Sequence, residues 1–152
     1  MEKGVDGRTG TENGDYLSEC FGLPRRAWDQ YSPLTLAYLG DAVYDVLIRT
    51  VLVKRANMQT AKLHGKASAL VRAGAQAKLV AALQPYLTEE EAGVYRRGRN
   101  AQPCHTAKNA SRGEYLEATG FEALIGYLYL KGDIRRLIDL IRLGLKESGH
   151  EL

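Results

Sequence analysis

The chain has 152 residues, 45% of them hydrophobic, and a formal net charge of +3, which together predict a single domain with its own core. Its two cysteines, Cys20 and Cys104, are too few for a disulfide framework and suit a reducing compartment. The first fifteen residues lack the apolar stretch of a secretory signal, and no apolar run approaches the ~20 residues of a membrane span. We therefore expect a soluble cytoplasmic protein, neither a disulfide miniprotein nor a membrane protein.

The positive charge is concentrated in the middle of the chain. Residues 46–113 carry twelve Lys or Arg and three Asp or Glu, whereas the segments on either side contain more acids than bases. Such a segment attracts polyanions, and nucleic acid is the foremost candidate. The alternative is a basic surface that contacts only solvent, and charge alone does not decide between the two.

Helix signals begin after a glycine-rich polar start, and we expect residues 1–30 to be flexible or extended. Ser32 and Pro33 then supply an N-cap and a first-turn proline for a helix that runs to about Lys54. The apolar spacing that follows predicts either one helix broken near Gly74 or two helices in sequence. The first half of the chain is thus expected to be helical.

The second half of the chain has the same character. Thr88 and the three glutamates after it form a capping box for another helix, and Asp133 is a candidate N-cap near the end of the chain. The predicted helices cover about residues 89–98, 114–130 and 133–146. An irregular basic stretch, residues 100–113, separates the first two of these. No alternating strand pattern of useful length occurs, so we predict an all-α fold with one domain over residues 31–148.

One predicted helix carries carboxylates inside an apolar stripe. In LAYLGDAVYDVLIR, residues 36–49, spacings of three and four place a set of side chains on one face that includes the preceding Leu34. This set is Leu34, Ala37, Tyr38, Asp41, Asp45 and Ile48. Burying an unpaired charge costs free energy, so we expect the Asp41 carboxylate to have a compensating partner. Asp45 could support the same site, but we favour a pair with a basic neighbour.

A later helix repeats the pattern. In ATGFEALIGYLYL, residues 118–130, Glu122 shares a face with Ile125 and Gly126. Glycines lie near both acids and would let the two helices approach closely. If these faces meet, Asp41 and Glu122 come together, and two carboxylates repel each other unless a cation or a proton lies between them. Oxygen ligands without His or Cys favour Mg²⁺ or Mn²⁺.

The motifs that hold these acids resemble a known nuclease family. LGDAVYD resembles the signature helix of the ribonuclease III catalytic domain, and FEALIGYLYL resembles its second acidic motif. Together with RRGRNA, in a chain that has no room for a double-stranded-RNA-binding domain, they are similar to Mini-ribonuclease III. The resemblance covers about residues 30–147. It implies a ribonuclease III-like helical bundle and, as activity, cleavage of double-stranded RNA, specifically maturation of precursor large-subunit (23S) ribosomal RNA.

The resemblance also implies roles for single residues. Asp41 and Glu122 match the catalytic, metal-binding acids of the two motifs, with Mg²⁺ as cofactor and Mn²⁺ as a substitute. Ala37 and Thr119 stand where full-length ribonuclease III enzymes have further acids, and Mini-ribonuclease III shares this reduction. The number of metal ions per site therefore stays open. The implied products carry 5′-phosphate and 3′-hydroxyl ends.

The family forms symmetric homodimers around the duplex. Tyr38 matches an aromatic residue that packs into the partner subunit, although an ordinary core tyrosine is an equal alternative. Without a separate RNA-binding domain, the catalytic domain must contact the RNA phosphates itself. The candidate RNA-binding residues are Arg96, Arg97, Arg99, Asn100, Lys108 and Asn109. Whether a ribosomal protein helps to present the RNA is left open by the sequence.

A second function class also stays open. A non-catalytic helical RNA-binding protein could retain the fold and lose the chemistry with the acids absent at Ala37 and Thr119. Because such a protein would have little reason to keep both Asp41 and Glu122, we favour the enzyme. The neighbouring Cys104 and His105 are not expected to bind zinc, since no second Cys/His pair follows them.

Overall fold

The computed structural model describes residues 12–101, 111–150 and 152, with side chains from residue 15 onward. These ranges contain no strand, which confirms the all-α prediction. The helices are α1 (Glu12–Phe21), α2 (Pro33–Arg55), α3 (Thr60–Val71), α4 (Ala73–Leu83), α5 (Glu89–Asn100), α6 (Arg112–Lys131) and α7 (Ile134–Glu147). None of the helices in the described part of the chain is long and apolar enough to cross a membrane.

Local capping sets several helix boundaries at the predicted places. The Ser32 side chain accepts a hydrogen bond from the backbone N–H of Thr35 at 3.2 Å, and α2 starts at the next residue, Pro33. Thr88 and Glu91 form the expected capping box of α5, and Asp133 caps α7. These caps satisfy backbone N–H groups that the first helical turn leaves free.

The chain between α3 and α4 settles one of the open alternatives. Arg72 has an extended backbone, with φ −67° and ψ 155°, so residues 60–83 form two helices in sequence. The break falls two residues before Gly74, which lies inside α4. Consequently α4 changes direction relative to α3.

Helix α6 lies at the centre of the core, with α2, α4 and α5 packed against it. Ten of its residues are buried, and the Phe121 ring meets the Tyr44 ring edge to face at 5.0 Å between centroids. The Tyr44 hydroxyl, fully buried, donates to the carbonyl oxygen of Leu70 at 2.9 Å. A central helix of this kind is contacted on most sides, and α6 accordingly has apolar residues around most of its circumference.

Helices α2 and α6 cross with their backbones in contact. A Cβ atom built on Gly40 would overlap the carbonyl oxygen of Glu122 and lie 2.7 Å from the backbone nitrogen of Gly126. A Cβ atom on Gly126 would overlap the carbonyl oxygen of Leu36. Only glycine, which has no Cβ, permits this separation. The expected close approach of the two acid-bearing helices is therefore present.

The buried face of α2 differs from the predicted stripe. The residues that α2 buries are Leu36, Ala37, Gly40, Val43, Tyr44, Ile48 and Leu52. Ala37 and Ile48 belong to both sets, but Leu34, Tyr38 and Asp41 are exposed. The physical reason is the crossing at Gly40, which turns the buried face by about one residue, or ~100°. Tyr38 and Asp41 consequently lie at the edge of the contact with α6.

Part of the segment expected to be flexible or extended contains regular structure. Helix α1 lies within residues 1–30, and a 3-10 turn spans Trp28–Gln30. The Trp28 ring meets the Tyr127 ring at 4.4 Å in an edge-to-face contact, which joins this segment to α6. The boundaries of the domain stay a prediction.

Candidate active site

The structure brings together the two acids singled out by the sequence. Asp41 follows Gly40 on α2, and Glu122 supplies the backbone carbonyl against which Gly40 packs. Their side chains lie close enough for Asp41 to raise the pKa of the Glu122 carboxyl. Asp41 is exposed, whereas Glu122 is partly buried. The pair therefore forms a site with one side towards solvent and the other in the protein interior.

This environment raises the pKa of Glu122 to about 8. Burial is the largest cause, because it penalises the charged form, and the hydrogen bond and negative charge of Asp41 act in the same direction. The nearby amide of Gln76 acts against this shift and favours the charged form of Glu122. Near neutral pH the pair thus holds a proton, which a bound cation would displace.

The ligand chemistry of the site fits a hard divalent cation. In the described part of the chain no group of three or more His, Cys, Asp or Glu gathers at one place, so two carboxylates would share the ion with water and substrate. Mg²⁺ commonly binds in this way, through one or two carboxylates, several waters and phosphate oxygens. A buried amide oxygen of Gln76 beside Glu122 has no hydrogen-bond partner and offers a further acceptor.

The two positions where acids are absent serve the core. Ala37 is 6% exposed and Thr119 is 5% exposed. The Thr119 hydroxyl donates to the carbonyl oxygen of Tyr115, one turn earlier in α6, at 3.0 Å. Neither side chain can bring a further negative charge to a cation held by Asp41 and Glu122.

Asp45, one turn beyond Asp41, pairs with a basic neighbour as favoured by the sequence. Its Oδ1 accepts a hydrogen bond from Nε of Arg49 at 3.0 Å. This i,i+4 ion pair is largely exposed and contributes little to stability. It directs the Asp45 carboxylate towards its own helix.

The basic candidates that the structure describes lie at the C-terminal end of α5. Arg96, Arg97, Arg99 and Asn100 are all exposed. The end of α5 is held against α6 at Gly98, where a Cβ atom would lie 2.6 Å from the Cβ of Ala123, the residue after Glu122. Lys108, Asn109 and the Cys104–His105 pair lie outside the described residues.

Tyr38 is 83% exposed. The chain by itself thus offers it no core position, and the alternative of an ordinary core tyrosine is wrong. Its role at a subunit interface stays a prediction. An exposed ring one turn from Asp41 would place that interface next to the acid pair.

Gln76 is the site residue that sequence reasoning missed. It is 1% exposed and lies beside Glu122. The only sequence signal was a single amide in the apolar helix AGAQAKLVAAL. Such a residue is usually exposed, so the pattern gives no reason to assign it to a site.

Comparison with known proteins agrees with this arrangement. The model of the Ribonuclease III domain family matches residues 34–133. A Mini-ribonuclease 3 from Clostridium tetani is 47% identical over 116 residues, which cover 75% of this chain and 76% of that protein. A Mini-ribonuclease 3 from Enterococcus faecalis is 44% identical over 126 residues, covering 82% and 96%.

A solved structure extends the similarity to three dimensions. A crystal structure of a Fusobacterium nucleatum protein superposes with a TM-score of 0.70 at 29% identity, covering 76% of this chain and 93% of that one. The matched family region contains both Asp41 and Glu122. The chain belongs to the ribonuclease III family, in the group of the Mini-ribonuclease 3 proteins.

Proposed function

We propose that this chain hydrolyses phosphodiester bonds of double-stranded RNA with a divalent cation held by Asp41 and Glu122. Membership of the ribonuclease III family makes it a hydrolase of the double-strand-specific endoribonuclease type. The observation that carries the metal mechanism is the meeting of two carboxylates from different helices where α2 and α6 cross. Without a cation the two carboxylates are accommodated because Glu122 keeps a proton, which fits a site that takes up a positive charge.

The two acids have different tasks in the proposed reaction. A bound Mg²⁺ would activate a water for in-line attack on phosphorus and neutralise the charge of the phosphate. Asp41, on the exposed side, holds its carboxylate where the RNA arrives. Glu122, partly buried on the core helix α6, would supply the second carboxylate and would release its proton to solvent on binding the cation. Cleavage in this way leaves 5′-phosphate and 3′-hydroxyl ends.

The substrate and assembly follow from the same proposal. The basic end of α5 contacts phosphates of an A-form duplex, which proteins recognise mainly by shape and backbone. Two subunits pair through the face that carries Tyr38, so that each acid pair cuts one strand. The cellular substrate is precursor 23S ribosomal RNA in the cytoplasm, with a ribosomal protein as a candidate helper.

The test of this function is cleavage of a long RNA duplex by the purified protein in Mg²⁺ and in EDTA. We expect cutting that requires Mg²⁺ and returns when Mn²⁺ replaces it, with product ends that carry 5′-phosphates. Single-stranded RNA of the same sequence is the control. If the protein binds the duplex but never cuts it, even within precursor ribosomal RNA, the non-catalytic binding protein is the correct reading, and the acids absent at Ala37 and Thr119 explain the loss.

Reversal of charge at the end of α5 should weaken RNA binding more than it slows cleavage. In Arg96→Glu/Arg99→Glu, we expect the Kd for duplex to rise ~10-fold or more, with kcat at saturating RNA within about twofold of wild type. Loss of two phosphate contacts should also lower the slope of log Kd against log salt by about two. Filter binding at several salt concentrations measures both quantities.

Arg135→Glu/Arg142→Glu is the matched control. Both residues are exposed on α7, and the double change alters net charge by the same amount. This variant should bind nearly as wild type does. Equal weakening in the two double variants would mean that total charge, and not the end of α5, governs binding.

A further inference from the structure

A buried glutamine on α4 lies beside the acid pair. Gln76 is 1% exposed, although the other residues of α4 are almost all Ala, Leu, Val or Gly. Helix α4 packs against α6, and this contact carries the Gln76 side chain to Glu122. Burial of an amide away from water is costly unless its polar atoms are hydrogen-bonded.

One end of the amide is fixed by another helix. Nε2 of Gln76 donates to the carbonyl oxygen of Val71 at 2.9 Å. Val71 is the last residue of α3, where helix carbonyls have no partner within the helix. If the amide were flipped, its oxygen would face that carbonyl oxygen. This hydrogen bond therefore assigns the positions of Nε2 and Oε1. The second N–H of Nε2 remains for the Glu122 carboxylate.

The other end of the amide has no partner. Oε1 of Gln76 is the single buried side-chain polar atom without a hydrogen bond in the part of the chain that the structure describes. The remaining buried polar residues, Glu91 and Thr119, are hydrogen-bonded. Unsatisfied buried acceptors are rare in native proteins, and this one belongs to a side chain near Glu122, one of the two acids that would hold the cation.

We propose that Gln76 is a positioning residue of the site: it fixes the Glu122 carboxylate by donating to it, and its Oε1 accepts a hydrogen bond from a metal-bound water. This inference rests on the proposed function. Gln76 ties Glu122 to the end of α3, so the carboxylate cannot rotate freely when the cation or the RNA arrives. The free Oε1 supplies an acceptor that the absent acids at positions 37 and 119 do not.

The test compares Gln76→Met with Gln84→Met. Methionine keeps the length of the side chain and removes both hydrogen-bonding groups. Gln84 makes the same kind of bond, from Nε2 to the carbonyl oxygen of Val80 at 3.1 Å, but it is exposed and lies just beyond the C-terminal end of α4. Mn²⁺ titration calorimetry without RNA, duplex cleavage kinetics and thermal unfolding in EDTA are measured for both variants.

For Gln76→Met we expect the Kd for Mn²⁺ to rise ~10-fold and kcat to fall ~10–100-fold, with KM for duplex within about twofold. Gln84→Met should match wild type in all three. Gln76→Glu, which keeps an acceptor at the same place, should retain Mn²⁺ binding better than Gln76→Met. If Gln76→Met proves less stable than Gln84→Met, the comparison of Mn²⁺ binding by Gln76→Glu and Gln76→Met decides the role of Gln76.

Wild-type Mn²⁺ affinity and kcat in Gln76→Met would overturn the inference and leave Gln76 a structural link between α3 and α6. Equal losses of Mn²⁺ binding in Gln76→Met and Gln76→Glu would overturn it as well, as would a wild-type protein that takes up no Mn²⁺. Failure of the proposed function looks different. In that case the wild type binds Mn²⁺ and duplex but does not cut, and the cation titration still decides the role of Gln76.

Discussion

Replacing Asp41 with Asn, or Glu122 with Gln, should abolish RNA cleavage while duplex binding persists. Each change keeps the shape of the side chain and removes one of the two negative charges that would hold the cation. Stabilisation of the transition state by a bound metal is worth several kcal/mol, so kcat should fall by about 10³-fold in either variant. The Kd for duplex, measured in EDTA, should stay within about threefold, because the basic end of α5 is unchanged.

These two variants distinguish the acid pair from general damage to the protein. Asp45→Asn is the matched control, since Asp45 lies on the same helix, one turn away, and pairs with Arg49. It should cleave nearly as wild type does. Cleavage by Asp41→Asn or Glu122→Gln at close to the wild-type rate would contradict the proposed metal site.

The stability of the wild-type protein relative to Glu122→Gln should depend on pH. In the metal-free protein the pKa of Glu122 is raised to about 8, so the folded state keeps a proton that the unfolded state has lost. The resulting stability is fully present below the ordinary Glu pKa and is lost as pH rises through about 8. Thermal unfolding in EDTA should therefore show wild type losing stability relative to Glu122→Gln between pH 5 and pH 9. Parallel curves for the two proteins would show that Glu122 ionises normally.

Gly40→Ala, or Gly126→Ala, should unfold the protein or leave it barely stable. The new Cβ atom would overlap a backbone carbonyl oxygen of the facing helix, and backbone atoms cannot rotate away as side chains can. Relief requires that α2 and α6 move apart, which would open the core around Phe121. We expect a loss of at least about 4 kcal/mol, a large fraction of the 5–15 kcal/mol that usually separates folded from unfolded chains.

Gly65→Ala provides the opposite expectation at a matched position. Gly65 also lies within a helix, α3, but a Cβ atom there would meet nothing within 4 Å. Alanine should stabilise this helix by about 0.5–1 kcal/mol, because glycine is a poor helix former. Urea denaturation of the three variants measures the difference. Similar stabilities for Gly40→Ala and Gly65→Ala would mean that the two helices are not in backbone contact.

Much of the fold could be predicted because helix ends depend on neighbouring residues. Ser32, Thr88 and Asp133 act on N–H groups within three positions, so a single sequence contains both partners. The meeting of Asp41 and Glu122 was also predictable, since each acid lies near a glycine in a recognisable motif. The caps depend only on residues within three positions, and the meeting of the acids could be predicted because each acid lies near a glycine in a motif of a known family.

The buried face of α2 and the role of Gln76 were not predictable in the same way. Helix α2 has apolar residues on most sides. The spacing of these residues therefore predicts that the helix packs against a core, but it does not determine which residues face that core. The crossing at Gly40 determines this face, and it depends on Gly126 far along the chain. Gln76 donates a hydrogen bond to Val71 on α3 and lies near Glu122 on α6, and no sequence pattern within α4 reports either neighbour.

The backbone contact between α2 and α6 fixes the positions from which Asp41 and Glu122 extend. Asp41 is one residue from Gly40 and Glu122 is four residues from Gly126, so rigid peptide groups set the distance between the two backbone positions that carry the carboxylates. Buried side chains elsewhere in the core, such as Leu137 and Leu140, stabilise the fold but do not take part in this backbone contact. Core substitutions can therefore accumulate during evolution at a cost in stability while the geometry of the acid pair stays the same.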